Sequence, residues 1–495
     1  MSHDGRSSPE RAAIDRLIAA GRLDEALAAL RVAPDAAATW PLQADLLKQL
    51  GRLDEALALR FAQVKARPTS SVSEHNLAAL LGDMHRHVEA EAAVRRAFAK
   101  GGDAPETWLV LARSLAGQEK GDDAEQAYRQ AVSRRPTHVE ALRELAQLIW
   151  MRTADATRAL APVREALDRA PGDSGVRCLL GLLMDYTGST PREVWSALVE
   201  GEARRDPALD LAAASAALSF DRDLALDHAL AAAAAAPGHP FVALKLAEIR
   251  LARGELDQAA VLLAGTDEPA EDQNWLSLKA TLERLSGASD GPALNDYEAF
   301  VQGQVIDTPE GWSDLITYLD DLAAALRRLH TFQTHPVGQS LRHGTQTHVD
   351  LRASEDPAIR AFFSAIDGPI GRYLERLGNG DDPLRRRNTG AYRIAGCWSV
   401  QLVPGGYHAP HVHPEGWLSS ACYIDLPTAV EAGGREGWIG FGAPPFVCAT
   451  PTPPEHYEKP EPGKLVLFPS YMWHGTVPFS GEETRLTIAF DVVPA

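Results

Sequence analysis

The chain has 495 residues, 45% of them apolar and 23% charged, and a formal net charge of −18. That length exceeds what one core organises, so two or three domains are expected. The excess of carboxylates argues against a surface built to neutralise phosphates, and no nucleic acid is expected as a partner. Met1-Ser-His-Asp-Gly-Arg6 carries no apolar h-region, and no stretch reaches the ~18–20 apolar residues of a membrane helix. Neither a leader nor a membrane partner is expected. Cys178, Cys397, Cys422 and Cys448 are scattered without a CxxC pair, which is reduced, cytoplasmic usage.

The first half repeats itself. Gly21-Arg-Leu-Asp-Glu-Ala26 recurs as Gly51-Arg-Leu-Asp-Glu-Ala56 and, loosened, as Gly254-Glu-Leu-Asp-Gln-Ala259. Ala56, Ala90 and Ala124 are each 34 apart, Ala159 follows at 35, and Ala225 and Ala259 are again 34 apart. The gap between Ala159 and Ala225 leaves room for a degenerate copy around Ala197. The best copy has Trp108, Leu111 and Ala112 on a first helix, then Gly121, Ala124, Tyr128 and Ala131 on a second, closed by Pro136. Small residues let the two helices approach, larger apolar ones fill the seam, and proline stops the second helix. This pattern resembles the tetratricopeptide family. The resemblance implies a superhelix whose groove holds a peptide or protein segment.

Repeats stop near residue 270, and two helices are expected next, Trp275–Leu285 and Trp312–Leu329. The second carries Leu315, Ile316, Leu319, Leu322 and Leu326 at helical spacing. Turns containing Gly, Ser and Pro separate the two. Thr345–Leu351 alternates weakly, and a helix over Ile359–Leu377 ends at Gly378-Asn-Gly-Asp-Asp. Five strands are then expected: Ala391–Leu402, Leu418–Leu426, Trp438–Phe441, Lys464–Phe468 and Arg485–Val492. The fold class is thus multidomain: an all-α tetratricopeptide superhelix followed by a double-stranded β-helix (jelly-roll) domain with flanking helices. The expected boundaries are 1–283 for the array, 284–335 for a helical connector and 336–495 for the jelly roll.

The chemistry concentrates in the last segment. His411 and His413 lie at i and i+2, and on extended backbone such residues point the same way. His474 follows the Lys464–Phe468 strand and supplies a third imidazole. Three ligands on one face are what a non-haem iron needs if three positions are to stay open. A keto acid bound there also has a far carboxylate, which the planar fork of an arginine grips best. Arg485 opens the last strand, and Thr487 projects to the same side. Tyr407, Gln401 and Tyr423 are candidates to line the cosubstrate pocket, though aromatic strand residues more often belong to a core. Trp473 and Tyr471 fit the barrel mouth or its packing. His343, His348 and His456 read as solvated polar residues. Neither a GxxxxGK[ST] loop nor a Gly-x-Ser-x-Gly elbow is present, so nucleotide-binding and hydrolase readings lack support.

His411-Val-His413-Pro414, Leu418-Ser-Ser-Ala-Cys-Tyr423, Leu467-Phe-Pro-Ser-Tyr-Met-Trp-His474 and Arg485-Leu-Thr-Ile488 together resemble the bacterial His-x-His-Pro branch of the 2-oxoglutarate/Fe(II)-dependent oxygenases. Gln339-Ser-Leu-Arg-His-Gly-Thr-Gln-Thr347 is similar to members that carry tetratricopeptide arrays. The resemblance spans roughly residues 335–495. It implies Fe(II), 2-oxoglutarate and O2, with Arg485 clamping the C5 carboxylate and a peptide or protein substrate delivered by the repeats. The commoner pattern is His-x-Asp/Glu…His, so two registers stay open. One is His411, His413 and His474, preferred because the Pro-Glu-Gly turn should begin just after the ligands. The other is His413, Glu415 and His474. His408 and Asp425 are reserve ligands. Rival functions are a scaffold with an inactive barrel and a small-molecule hydroxylase whose repeats mediate assembly.

Overall fold

The computed structural model describes residues 9–32, 36–200, 206–264, 272–287 and 294–495. Met1–Arg6, read above for a leader, and the turn at 288–293 lie outside them. The chain divides into two compact units, Met1–Leu148 and Ile149–Ala495, the division falling within the helix Val139–Thr153.

The first unit is built of helical hairpins, for example Ser71–Asp83 with His87–Ala99 and Pro105–Ala116 with Gly121–Arg134. Ala26, Ala56, Ala90 and Ala124 have no exposed surface, because a larger side chain there would hold the paired helices apart. Trp108 packs on Phe98 with ring centroids 4.5 Å apart, and the Arg134 guanidinium covers its outer face at 4.6 Å. The recurring GRLDEA run has a backbone cause. Gly21 and Gly51 sit at φ +71° and +72°, the left-handed region that glycine enters without steric cost. In the next two copies the same hinge falls on His85 and Glu119, at +58° and +61°. Arg22 and Arg52 then pair with Glu25 and Glu55 one turn on.

The second unit starts with further helices of the same kind, from Ala156–Arg169 to Gln273–Ser286. Ala159, Ala225 and Ala259 are again fully buried. Ala197, the expected marker of the degenerate copy, is only half-buried. Val194 and Leu198 are buried there instead, and Gly181 opposite makes the room: a Cβ on it would stand 2.7 Å from Leu198 Cδ2.

Among the described residues nine strands follow: β1 Gln302–Val305, β2 Leu341–Gln346, β3 Tyr392–His408, β4 Leu418–Asp425, β5 Ile439–Phe441, β6 His456–Glu458, β7 Lys464–Pro469, β8 His474–Thr476 and β9 Arg485–Pro494. They form two antiparallel sheets, ordered β1-β7-β4-β9-β3-β2 and β6-β5-β8. The helices Leu315–Arg327 and Pro357–Leu377 pack against the larger sheet. Phe362 meets Phe490 at 6.1 Å, and the Tyr318 hydroxyl donates to the Ala358 carbonyl. Leu486, Ile488, Phe490 and Val492 of β9 are fully buried in this core. Alternation therefore sends Arg485, Thr487, Ala489 and Asp491 to the opposite face. There the small sheet closes over, with Phe441 of β5 edge-on to Phe468 of β7 at 5.0 Å.

Two details depart from the sequence reading. The larger sheet takes its edge strand β1 from within the stretch read as a helical connector. β3 runs on through Pro404-Gly405-Gly406, because Val403–Gly406 loop out between Leu402, opposite Gly344, and Tyr407, opposite Arg342. Gly406 is required at that bulge: a Cβ on it would sit 2.5 Å from the His343 carbonyl oxygen.

Candidate metal and anion site

The bulge delivers the chain to His411 at the junction of the two sheets. His411 and His474 exchange both backbone hydrogen bonds, at 3.0 and 3.1 Å, and the His413 N–H donates to the Ser470 carbonyl at 3.0 Å. These bonds bring the three imidazoles together, one ligand nitrogen from each lying within 4.8 Å of the others. Among the described residues this is the one such cluster of three.

Ring orientation follows from the acceptors. The Nδ1 of His411 lies 2.9 Å from the Ala409 carbonyl, and the Nδ1 of His474 2.9 Å from the Met472 carbonyl. The Nδ1 of His413 lies 2.7 Å from Asp491 Oδ1. Carbonyls and carboxylates only accept, so each Nδ1 carries a proton, and a neutral ring then keeps a lone pair on Nε2. The Nε2 atoms of His411 and His413 are 3.1 Å apart. Two lone pairs at that distance repel unless a proton or a metal ion lies between them, and nitrogens at adjacent corners of an octahedral ion, ~2.1 Å from it, are about 3 Å apart. The residues fit a divalent metal. Burial first, then the neighbouring rings, hold His411 and His474 well below the ordinary histidine range, so they stay neutral and ready to ligate. Trp398 stacks on His413 and Phe468 packs on His474 at 4.6 Å, which limits ring rotation.

The same cavity, of about 650 Å³, is lined by Arg485 and Thr487. Arg485 is 2% exposed, yet its Nε and Nη1 have no hydrogen-bond partner, and neither has the hydroxyl of Tyr423 beneath it. The guanidinium lies 5.1 Å from the Tyr423 ring centroid. Burial lowers its pKa from the usual arginine value, with the neighbouring Tyr423 acting the other way. A buried, unpaired guanidinium is costly, and an anion in the cavity would satisfy it.

The other expected residues fall as follows. Glu415 lies in the exposed turn after His413, at the cavity rim and outside the imidazole group. Gln401 pairs with Leu486, a register that puts it on the sheet face opposite Val400, Arg485 and Thr487. Tyr407 is likewise not among the lining residues, whereas its neighbour His408 is. Burial and the charge of Arg485 push His408 down to about 3, and its Nδ1 is 2.9 Å from Ser340 Oγ. Asp425 is half exposed and paired with Arg327. Trp473 donates to the Ser277 carbonyl and Thr281 Oγ1, and Tyr471 to the Leu294 carbonyl, so both pack rather than line the cavity. His343 and His348 are exposed, while His456 is half-buried on β6 and bonded to Glu458. Sequence reasoning missed Asp491, although the period of two from Arg485 reaches it. It also missed Asp185 and Tyr186, which line the cavity from the helix Ser174–Tyr186.

Residues 396–491 match the family model described as "Putative 2OG-Fe(II) oxygenase", and residues 105–148 match the tetratricopeptide repeat model. Among curated proteins no match is found. Similar solved structures include a Pseudomonas putida prolyl-4-hydroxylase, 18% identical, covering 41% of this chain and 96% of that one, with a TM-score of 0.27. A MamA fragment from Desulfovibrio magneticus RS-1 is 17% identical over 35% of this chain and 100% of its own, TM-score 0.29. A thermophilic TPR protein of Thermus thermophilus is 22% identical over 35% of this chain and 97% of its own, TM-score 0.30. No described helix is long and apolar enough to cross a membrane. The chain therefore joins tetratricopeptide repeats to a C-terminal antiparallel β domain that matches the 2OG-Fe(II) oxygenase family.

Proposed function

We propose that the chain is an Fe(II)- and 2-oxoglutarate-dependent dioxygenase that hydroxylates a peptide or protein recruited by its repeats. The observation that carries this reading is one cavity holding both three convergent Nε2 lone pairs and an unpaired buried guanidinium. His411, His413 and His474 would hold the iron, and Arg485 with Thr487 would hold the far carboxylate of the keto acid. When bound, these groups supply O2 activation, in which 2-oxoglutarate becomes succinate and CO2 while the substrate gains a hydroxyl.

The residues of the chain position and exclude. Bonds from each Nδ1 orient the rings and leave the Nε2 of each neutral ring to the metal. Burial of His474 and Arg485 places both in low-dielectric surroundings, which strengthens the grip of the guanidinium on an anion. At the rim, the Arg342 guanidinium lies 4.6 Å from the Tyr186 ring. Because Asp185 and Tyr186 belong to a repeat-like helix, a segment held by those helices would lie beside the reacting centre. This favours a peptide or protein substrate over a free small molecule. All four cysteines are free thiols, which fits the cytoplasmic setting we assign.

The test is turnover of full-length protein with Fe(II), 2-oxoglutarate and O2 over an array of peptides. The expected result is succinate formation, with some peptides gaining the mass of one oxygen atom. Absence of succinate from metal-loaded protein would contradict the dioxygenase, and succinate with no modified peptide would contradict the substrate class.

A further inference from the structure

Three imidazoles leave a divalent ion with its full charge, in a buried cavity that also holds the Arg485 cation. The commoner pattern for such sites includes a carboxylate ligand; here the histidine cluster contains none. A carboxylate does stand one atom shell further out. Asp491 Oδ1 accepts from His413 Nδ1 at 2.7 Å, with the two side chains only 13% and 14% exposed. His411 and His474 have neutral carbonyls in the equivalent place.

We infer that Asp491 is a positioning residue of the metal site, fixing the His413 tautomer and lending through that ring the negative charge that the three ligands lack. This rests on the metal-site reading above. The proton stays on Nδ1, but a carboxylate drawing on it raises the electron density at Nε2 and so its strength as a ligand.

The carboxylate is itself held. Ser419 Oγ donates to the same Oδ1 at 2.8 Å and lies 2.9 Å from Ser470 Oγ. Both serines are fully buried, and the Ser470 carbonyl takes the backbone N–H of His413. Ring and backbone of His413 are thus anchored by one network. Gly416 leaves the space for it, since a Cβ there would fall 2.3 Å from Ser470 Oγ.

The test uses full-length protein titrated anaerobically with Co(II), followed by its visible absorption, alongside thermal unfolding of the metal-free form. Asp491→Asn keeps an oxygen acceptor and removes the charge; Asp491→Ala removes both. Expected are Co(II) affinities weakened about 10-fold in D491N and up to about 100-fold in D491A, with shifted visible bands. The metal-free unfolding midpoint of D491N should match wild type. Wild-type affinity and bands in D491N overturn the inference, as does weaker binding that merely tracks lower metal-free stability. Should D491A fail to fold, the D491N arm decides. Failure of wild type to bind Co(II) would overturn the metal site itself, a result distinct from unaffected variants.

Discussion

Replacing Arg485 by methionine should separate stability from cosubstrate binding. The guanidinium is 2% exposed and two of its nitrogens lack partners, so the ligand-free protein carries an uncompensated buried charge. A methionine of similar length removes that penalty; even replacing a buried ion pair by apolar residues is neutral or stabilising by about 1–4 kcal/mol. Against this stands the stacking on Tyr423, which contributes about 0.5–2 kcal/mol. The net expectation is a ligand-free protein as stable as wild type or more so, by about 1–2 kcal/mol. Binding should move the other way. Two charge-assisted hydrogen bonds of about 1.5–3 kcal/mol each are lost, or about 3–6 kcal/mol, which is two to four orders of magnitude in affinity. The assay is thermal unfolding with and without 2-oxoglutarate in the presence of an inert divalent metal. Saturating ligand at about 100 times the wild-type Kd should stabilise wild type by about 2.7 kcal/mol and R485M by about 0.4 kcal/mol or less. Equal stabilisation of the variant would refute the anion clamp. A ligand-free R485M that is clearly less stable would refute the claim that the charge is unpaired.

His411→Ala should abolish stable metal binding while Glu415→Ala retains it, measured by metal content after gel filtration; the reverse would favour the His413, Glu415, His474 register. His330 bonds Thr345 Oγ1 and Ser399 Oγ, and burial pushes it down to about 4. Its folded pKa lies below the unfolded value near 6.5, so its contribution is full above that pH and is lost as pH falls toward the folded value. Wild type should therefore lose up to about 2 kcal/mol more than H330Q between pH 7.5 and 5 in urea unfolding. Parallel curves would refute this. Glu119 is exposed at φ +61°, so Glu119→Gly should raise stability by about 1 kcal/mol, where an ordinary helical glycine would lower it.

The repeats were legible because their signal is local. Alanines at a spacing of 34 and hinge glycines act within one hairpin, and the same alanines prove fully buried. The histidine cluster was legible for a related reason: i, i+2 spacing fixes the side of a strand, and chain order fixed the rest. What escaped depends on pairings the sequence does not display. Gln401 and Tyr407 lie in β3, where the bulge at Val403–Gly406 breaks the count that would assign faces. β1 is a four-residue polar edge strand, QGQV, defined only by pairing with β7. Asp491 meets His413 across 78 residues of sequence, and an isolated aspartate in a strand gives no sign of its partner. Asp185 and Tyr186 reach the cavity from a helix whose repeat grammar speaks only of packing.

Three imidazoles and Arg485 share one cavity, proposed above to hold iron and a keto acid. Anaerobic addition of Fe(II) and then 2-oxoglutarate to full-length protein tests it directly, through the visible metal-to-ligand charge-transfer absorption of a chelated keto acid. The band should appear with wild type, vanish in His474→Ala, and require far more 2-oxoglutarate in R485M. Wild-type protein that takes up iron yet shows no band, or a band that persists unchanged in His474→Ala, would contradict the account.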